Sequence, residues 1–172
     1  MIDAPALEAL ADQLRGEPEI GEQGIAGTEH FRAQAALHIA PERIGAVLSA
    51  LRERGFRFLA SVHGVDYLPE EPRLGVHYQL LDMSARERIA VKLRVPSERP
   101  EVPSVTPAWP TANHQEREVY DMFGVIFVGH PDLRRILMPD HYEGHPQRRD
   151  FPIGGEPVLF TYNESPQLGA PE

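Results

Sequence analysis

The chain has 172 residues, 41% of them hydrophobic and 25% charged, with a formal net charge of −9 and no cysteine. A chain of that length buries a core as one domain. The missing thiols exclude disulfides, a cysteine nucleophile, zinc-thiolate sites and cysteine-ligated iron–sulfur clusters, and the acidic balance excludes a general nucleic-acid binder. No stretch approaches the roughly 18 consecutive apolar residues of a membrane helix. The start, MIDAPALEALADQL, has neither the basic region nor the apolar run of a secretory signal.

The acid is unevenly placed: residues 1–30 hold seven Asp or Glu against the single Arg15. Ala4 to Leu14 places Leu7, Leu10, Ala11 and Leu14 at helical spacing, with Asp3 as N-cap. EPEIGEQGIAGTE reads as a polar, glycine-rich loop. Its glycines lack the strand–turn–helix setting of a phosphate cradle. From Phe31 to Ile39 apolar residues alternate, with Phe31, Ala33, Ala35, Leu37 and Ile39 on the face predicted to be buried. Pro41 opens a helix that carries Ile44, Val47, Leu48 and Leu51, and Gly55 stands where a left-handed cap belongs. Phe56, Phe58, Ala60 and Val62 resume period two. LPEEPR turns the chain; Leu74, Val76, Tyr78 and Leu80 form a further strand, Asp82 to Glu87 reverse it, and Ile89, Val91, Leu93 and Val95 form the next. Short reversals favour antiparallel neighbours.

This order predicts an α+β fold: a two-layer domain with a mostly antiparallel sheet of about four strands and helices on one face. Residues 1–95 form that domain. Residues 96–110, with prolines at 96, 100, 103, 107 and 110, form a semi-rigid extended connector. Residues 111–172 form a helix and an extended Pro/Gly-rich arm. Thr111 is the expected cap of a helix over Ala112 to Phe123, ended by Gly124, with Val119, Met122 and Phe123 as its apolar stripe. From Val125 onward the chain is expected to be irregular, and Ile153 to Glu172 to run extended over a surface.

Three kinds of chemistry compete for the second half. His114, His130, His141 and His145, with Asp132, Asp140 and Asp150, resemble a metal-ligand cluster in composition, but there is no HExxH, and the Pro/Asp/Gly neighbours favour histidines that hydrogen-bond to backbone. Glu116, Glu118 and Asp121 lie beside Arg117 on one predicted helix, a pattern that suits a solvated face with local ion pairs better than a tuned acid–base pair. No GxSxG, phosphate or dinucleotide motif occurs. Two arginine pairs, Arg134–Arg135 and Arg148–Arg149, sit in Pro- and Gly-fixed settings that suit bidentate contacts to partner carboxylates.

EREVYDMFG, GHPDLRRILMPD and EGHPQRRDFP, in that order, closely resemble the signature of the C subunit of proton-translocating NADH-quinone oxidoreductase, the thirty-kilodalton subunit family of respiratory complex I. The resemblance is most specific in the C-terminal third. Two positions depart from it: Gln147 stands where a hydrophobic residue is expected, and His114 where an aromatic is common. The resemblance implies a structural and assembly subunit of the hydrophilic arm. Such a subunit has no cofactor, metal or catalytic residue of its own, supports NADH-to-quinone electron transfer within the complex, and packs on the quinone-site subunit. It implies a peripheral location on the cytoplasmic side of the cell membrane, with membrane association only through the complex. Its partner-interface candidates are Glu116, Arg117, Glu118, Asp121, His130, Arg134, Arg135, His145, Arg148, Arg149 and Asp150. Alternatives are the equivalent subunit of a ferredoxin-, F420- or hydrogen-linked complex and a stand-alone His/Asp metal enzyme.

Overall fold

The computed structural model describes residues 2–32 and 34–152. Met1, Ala33 and the tail expected to run extended, 153–172, lie outside the described residues. Helix α1 spans Ala4–Arg15; the carboxylate of Asp3 caps it, accepting from the Ala6 N–H at 2.9 Å. Strands β1 (Ile25–Phe31) and β2 (Gln34–Ile39) form a hairpin. Then come a 3-10 turn at Pro41–Arg43 and helix α2 (Ile44–Glu53), followed by the meander β3 (Phe58–Asp66), β4 (Leu74–Asp82) and β5 (Glu87–Val95). The sheet order is β1-β2-β5-β4-β3, antiparallel except for the central β2–β5 pair. Because β2 and β5 run parallel, the crossover through α2 carries the chain to the far edge, and the meander returns it to the middle.

The structure corrects three expectations. The sheet has five strands, because residues 25–29, expected within a loop, belong to edge strand β1. IAGTEHF has large apolar side chains only at its ends, so period two is invisible in it. Phe31 is on no buried face: it is 61% exposed, just before Arg32 at φ 46° in the hairpin turn. Phe58 is also exposed, while Leu59 and Val62 are buried, because an irregularity in register between Leu59 and Ser61 shifts which side chains point inward. A bulge of this kind breaks the alternation on which the sequence reading rests.

One face of the sheet carries Leu37, Val76, Tyr78, Leu80, Ile89 and Val91, each 0% exposed, packed with Leu7 and Leu14 of α1 and Val47, Leu48 and Leu51 of α2. Fully burying an aliphatic side chain contributes about 1.5–3 kcal/mol. Residues on both sides of position 95 share this core. Val102, Val105 and Trp109 belong to it, as do Val119, Met122, Phe123, Val125 and Phe127. Short strands β6 (Glu101–Pro103) and β7 (Ile126–Val128), in segments read as connector and irregular chain, pair in parallel. Trp109 is tied down by its indole N–H to the Arg57 carbonyl at 3.3 Å and by the Arg52 guanidinium 5.4 Å from its ring centroid.

Helix α3 (Ala112–Phe123) lies along β3, the sheet edge away from β1. The side chain of Gln115 accepts the Val62 N–H, so one free donor of that edge is covered. Thr111 makes no side-chain capping bond, contrary to the expectation. Gly124 ends α3 as expected, at φ 77°, with its N–H donating to the Tyr120 carbonyl at 2.8 Å.

Candidate functional site

Helix α3 presents carboxylates inward as well as outward. Glu116 and Asp121 are both 0% exposed and Arg117 is buried, while Glu118 is exposed. Glu116 accepts from the Ser104 hydroxyl (2.6 Å), the Val105 N–H (2.8 Å) and the Thr106 hydroxyl (3.0 Å), stapling the turn after β6 to α3. Burial raises its pKa, and those three bonds only partly oppose the rise. The buried Tyr78 hydroxyl, whose ionisation burial and then Glu116 both disfavour, has no partner among the described residues.

Asp121 organises the segment after Gly124. One carboxylate oxygen accepts the N–H groups of Ile136 (3.0 Å), Leu137 (2.8 Å) and Met138 (2.8 Å); the other accepts from Arg135 at 2.6 Å. Burial alone would raise its pKa; the three backbone donors and the guanidinium outweigh it and hold the carboxyl below the usual range. Arg135 also reaches the Gly144 carbonyl (3.0 Å), and Arg117 donates to the carbonyls of Arg134 and Arg135 at 3.1 and 3.0 Å. A segment whose one regular element among the described residues is the short β7 is thus held by charge-assisted bonds to one helix.

The histidines do the same. His130 donates from Nε2 to the Asn113 carbonyl (3.1 Å) and accepts the Asp132 N–H at Nδ1 (3.0 Å), which fixes the orientation of its ring. His145 donates from Nδ1 to the Asp121 carbonyl (3.0 Å), and burial lowers its pKa. His114 and His141 are exposed, and among the described residues no three His, Asp or Glu side chains gather as a metal-binding group. Gly124 is required twice over: its φ is positive, and a Cβ there would lie 2.5 Å from His145 Nε2.

The second clamp lies at the far end of the arm. Arg73, buried after the turn that follows β3, binds Asp66 (2.9 and 2.7 Å) and Asp150 (2.8 and 2.5 Å). Hydrogen bonds from Arg73 hold both carboxyls below their ordinary range, Asp66 furthest. The Arg149 N–H donates to Asp66 (2.8 Å) and its guanidinium to the Leu68 carbonyl (2.5 Å), while Arg148 donates to the Phe123 carbonyl at 2.7 Å.

Of the candidates for a partner interface, Glu116, Arg117, Asp121, Arg135, His130, His145, Arg148, Arg149 and Asp150 thus make bonds within the chain. Among the described residues, Glu118 is exposed without such a bond, and Arg134 is exposed with its side chain paired only to nearby Asp132 at 2.9 Å. In the same segment Ile126, Val128, Ile136 and Leu137 are exposed. Sequence reasoning missed Arg73 and Asp66, whose role depends on residues about eighty positions away, and it missed Ser104 and Thr106. No local signal marks any of the four.

Similarity to known proteins places this geometry. The family model described as the respiratory-chain NADH dehydrogenase, 30 Kd subunit, matches residues 37–157, which include most of the sheet and the whole clamped segment. The chain is 49% identical over 143 residues to the C subunit of NADH-quinone oxidoreductase from Roseiflexus castenholzii, covering 81% of this chain and 82% of that one. It is 52% identical over 164 residues to the protein of the same name from Salinispora tropica, covering 92% of this chain and 66% of the relative. A trypsin-resistant fragment, 1–134, of Nqo5 superposes with a TM-score of 0.63 at 34% identity, over 74% of this chain and 98% of the fragment. A chain of the membrane-bound sulfane sulfur reductase, an archaeal respiratory membrane complex, shares the fold with a TM-score of 0.69 at 22% identity, over 96% and 94% of the two chains. The chain belongs to the 30 kDa subunit family of the respiratory-chain NADH dehydrogenase.

Proposed function

We propose that this chain is a structural and assembly subunit of a proton-translocating NADH-quinone oxidoreductase, part of its hydrophilic arm and without activity alone. The observation that carries this is the family match across 37–157, reinforced by relatives named as the C subunit of NADH-quinone oxidoreductase at about half identity over most of both chains. The architecture supports it. The signature residues serve to fold an otherwise irregular segment onto α3, and the exposed Ile126, Val128, Ile136 and Leu137 then offer preorganised apolar side chains to a neighbour. That neighbour, in this reading, is the subunit that forms the quinone site.

The chain carries no redox cofactor in this proposal, since it lacks both thiolate ligands and a dinucleotide motif. No helix among the described residues is long and apolar enough to cross a membrane, which suits a peripheral place on the cytoplasmic face, reached through the complex. Deleting the chain tests the proposal: assembled complex and NADH–quinone reductase activity of the membranes are expected to fall together and to return with the chain. Normal assembly and activity without it would overturn the proposal, as would a stoichiometric flavin, cluster or metal in the gently purified chain.

A further inference from the structure

The sheet face opposite the helices is uncovered and built in rows. His38, Lys92, His77 and His63 are direct register partners across β2, β5, β4 and β3. The next row, Ala36, Ala90, Gln79 and Ser61, has smaller side chains, and beyond it Arg88 pairs with Leu81 and Leu81 with Phe58. The small middle row makes a trough: a concavity of about 340 Å³ lined by Ala36, Ala90, Gln79, Phe31, Leu81 and Arg88. Its wall carries one large apolar ring, Phe31 at 61% exposed, and Phe58, 52% exposed, is the register partner of the wall residue Leu81.

The cations of this face are not equally satisfied. Lys92 is bound to Glu29 at 2.6 Å, and Arg94 to the Pro72 carbonyl at 2.6 Å and Glu70 at 3.3 Å. Arg88, exposed on the wall of the trough, has no partner among the described residues. Its strands place Arg88, Lys92 and Arg94 here against the carboxylate of Glu29, in a chain of net charge −9. With Lys92 paired to Glu29 and Arg94 to Glu70, Arg88 is the cation of these three left without a carboxylate among the described residues. Apolar walls at Ala36, Ala90, Phe31 and Leu81 beside that guanidinium select a ligand that carries both an apolar and an anionic group.

We propose that this open face receives a segment of a partner subunit that seats an apolar side chain in the trough and sets a neighbouring carboxylate on Arg88. The proposal rests on the reading of the chain as a subunit, and adds a second docking surface on the side of the sheet away from the helices. A second copy of this chain fits worse, because pairing the face with itself brings like cations together.

The test uses the assembled complex with Gln79, on the trough floor, replaced by the photo-crosslinker p-benzoylphenylalanine, and the same probe at exposed Glu53 of α2 as control. The expected adduct from Gln79 is one partner segment with Asp or Glu within a residue or two of a large apolar side chain, absent from the Glu53 sample. Arg88→Glu is expected to lower recovery of the chain with the complex about tenfold, with unchanged melting of the isolated chain. Changing the partner's carboxylate to Lys is expected to restore recovery. Adducts only to lipid, to another copy of this chain or to a segment without a carboxylate would overturn the inference, as would full recovery of Arg88→Glu. If deleting the chain abolishes the complex yet Gln79 gives no adduct, this inference fails alone; if deletion leaves the complex intact, the subunit reading fails first.

Discussion

Different forces hold the five-stranded sheet and the segment from Gly124 to Pro152. The sheet is held by aliphatic side chains at 0% exposure with backbone ladders between strands. In the segment after α3 the one regular element among the described residues is the three-residue β7, around which Val125 and Phe127 still reach the shared core; beyond it Asp121, Arg117, Arg135 and Arg73 hold the chain by bonding carbonyls, N–H groups and one another. The apolar core tolerates changes that keep volume. The polar clamp does not, because removing one partner strands a buried charge or donor. A docking surface built on the second plan is held in place while leaving Ile126, Val128, Ile136 and Leu137 exposed.

The contrast is tested hardest by truncation after Val95, the boundary expected from sequence. If the division were energetic as well as sequential, residues 1–95 would fold alone. Loss of Val102, Val105, Trp109, Val119, Met122 and Phe123 from the shared core instead predicts no cooperative urea transition in the fragment. A transition as steep as that of the full chain would show two independent cores.

Next in size is Asp121→Ala, which orphans three N–H groups and leaves Arg135 with its guanidinium largely buried. The expected cost is about 3–5 kcal/mol, concentrated in the arm, so amide exchange and proteolysis should rise over 130–150 while the sheet stays protected. Uniform loss across the chain would mean that the two regions unfold as one.

The double variant Arg148→Ala with Arg149→Ala removes a half-buried bond to Phe123 and an exposed one to Leu68. We expect about 2–3 kcal/mol less protection of the arm, visible as a lower melting temperature. If these arginines served only a partner, as their sequence setting implies, melting would be unchanged and assembly alone would suffer.

The smallest effect concerns pH and the open face. Burial first, then the neighbouring His63, Lys92 and His38, push the His77 pKa from 6.5 down to about 4, with Glu29 opposing. Between those values the unfolded chain binds a proton that the folded chain refuses. Stability is therefore expected to fall as pH drops from about 6.5 towards 4, by about 1 kcal/mol after solvent screening. His77→Gln should flatten that limb of a pH–denaturation series; an unchanged slope would place the titration elsewhere.

Much of the sheet was legible because burial on one face imposes period two, and α1, α2 and α3 because burial of one stripe imposes a helical period. The hairpin strand β1 was not, since its middle residues are small or polar, and the inward side chains of β3 were misassigned because a bulge resets the alternation. In the arm, GHP, RR and DFP marked unusual chemistry, but partner and internal roles look alike in one dimension: an arginine between Pro and Asp reads the same whether its acceptor is on another chain or, as for Arg149, on Leu68 and Asp66. By itself the sequence determined the fold class, the helix ends at Asp3 and Gly124, and the family, because these rest on local periodicity, capping and a motif of fixed order. Only the tertiary structure decided that Glu116 and Asp121 face inward, that Arg73 receives Asp150, and that Arg88 is left without a partner among the described residues. Hydrogen bonds between residues distant in sequence leave no periodic trace, and burial of a charge is settled by what packs around it.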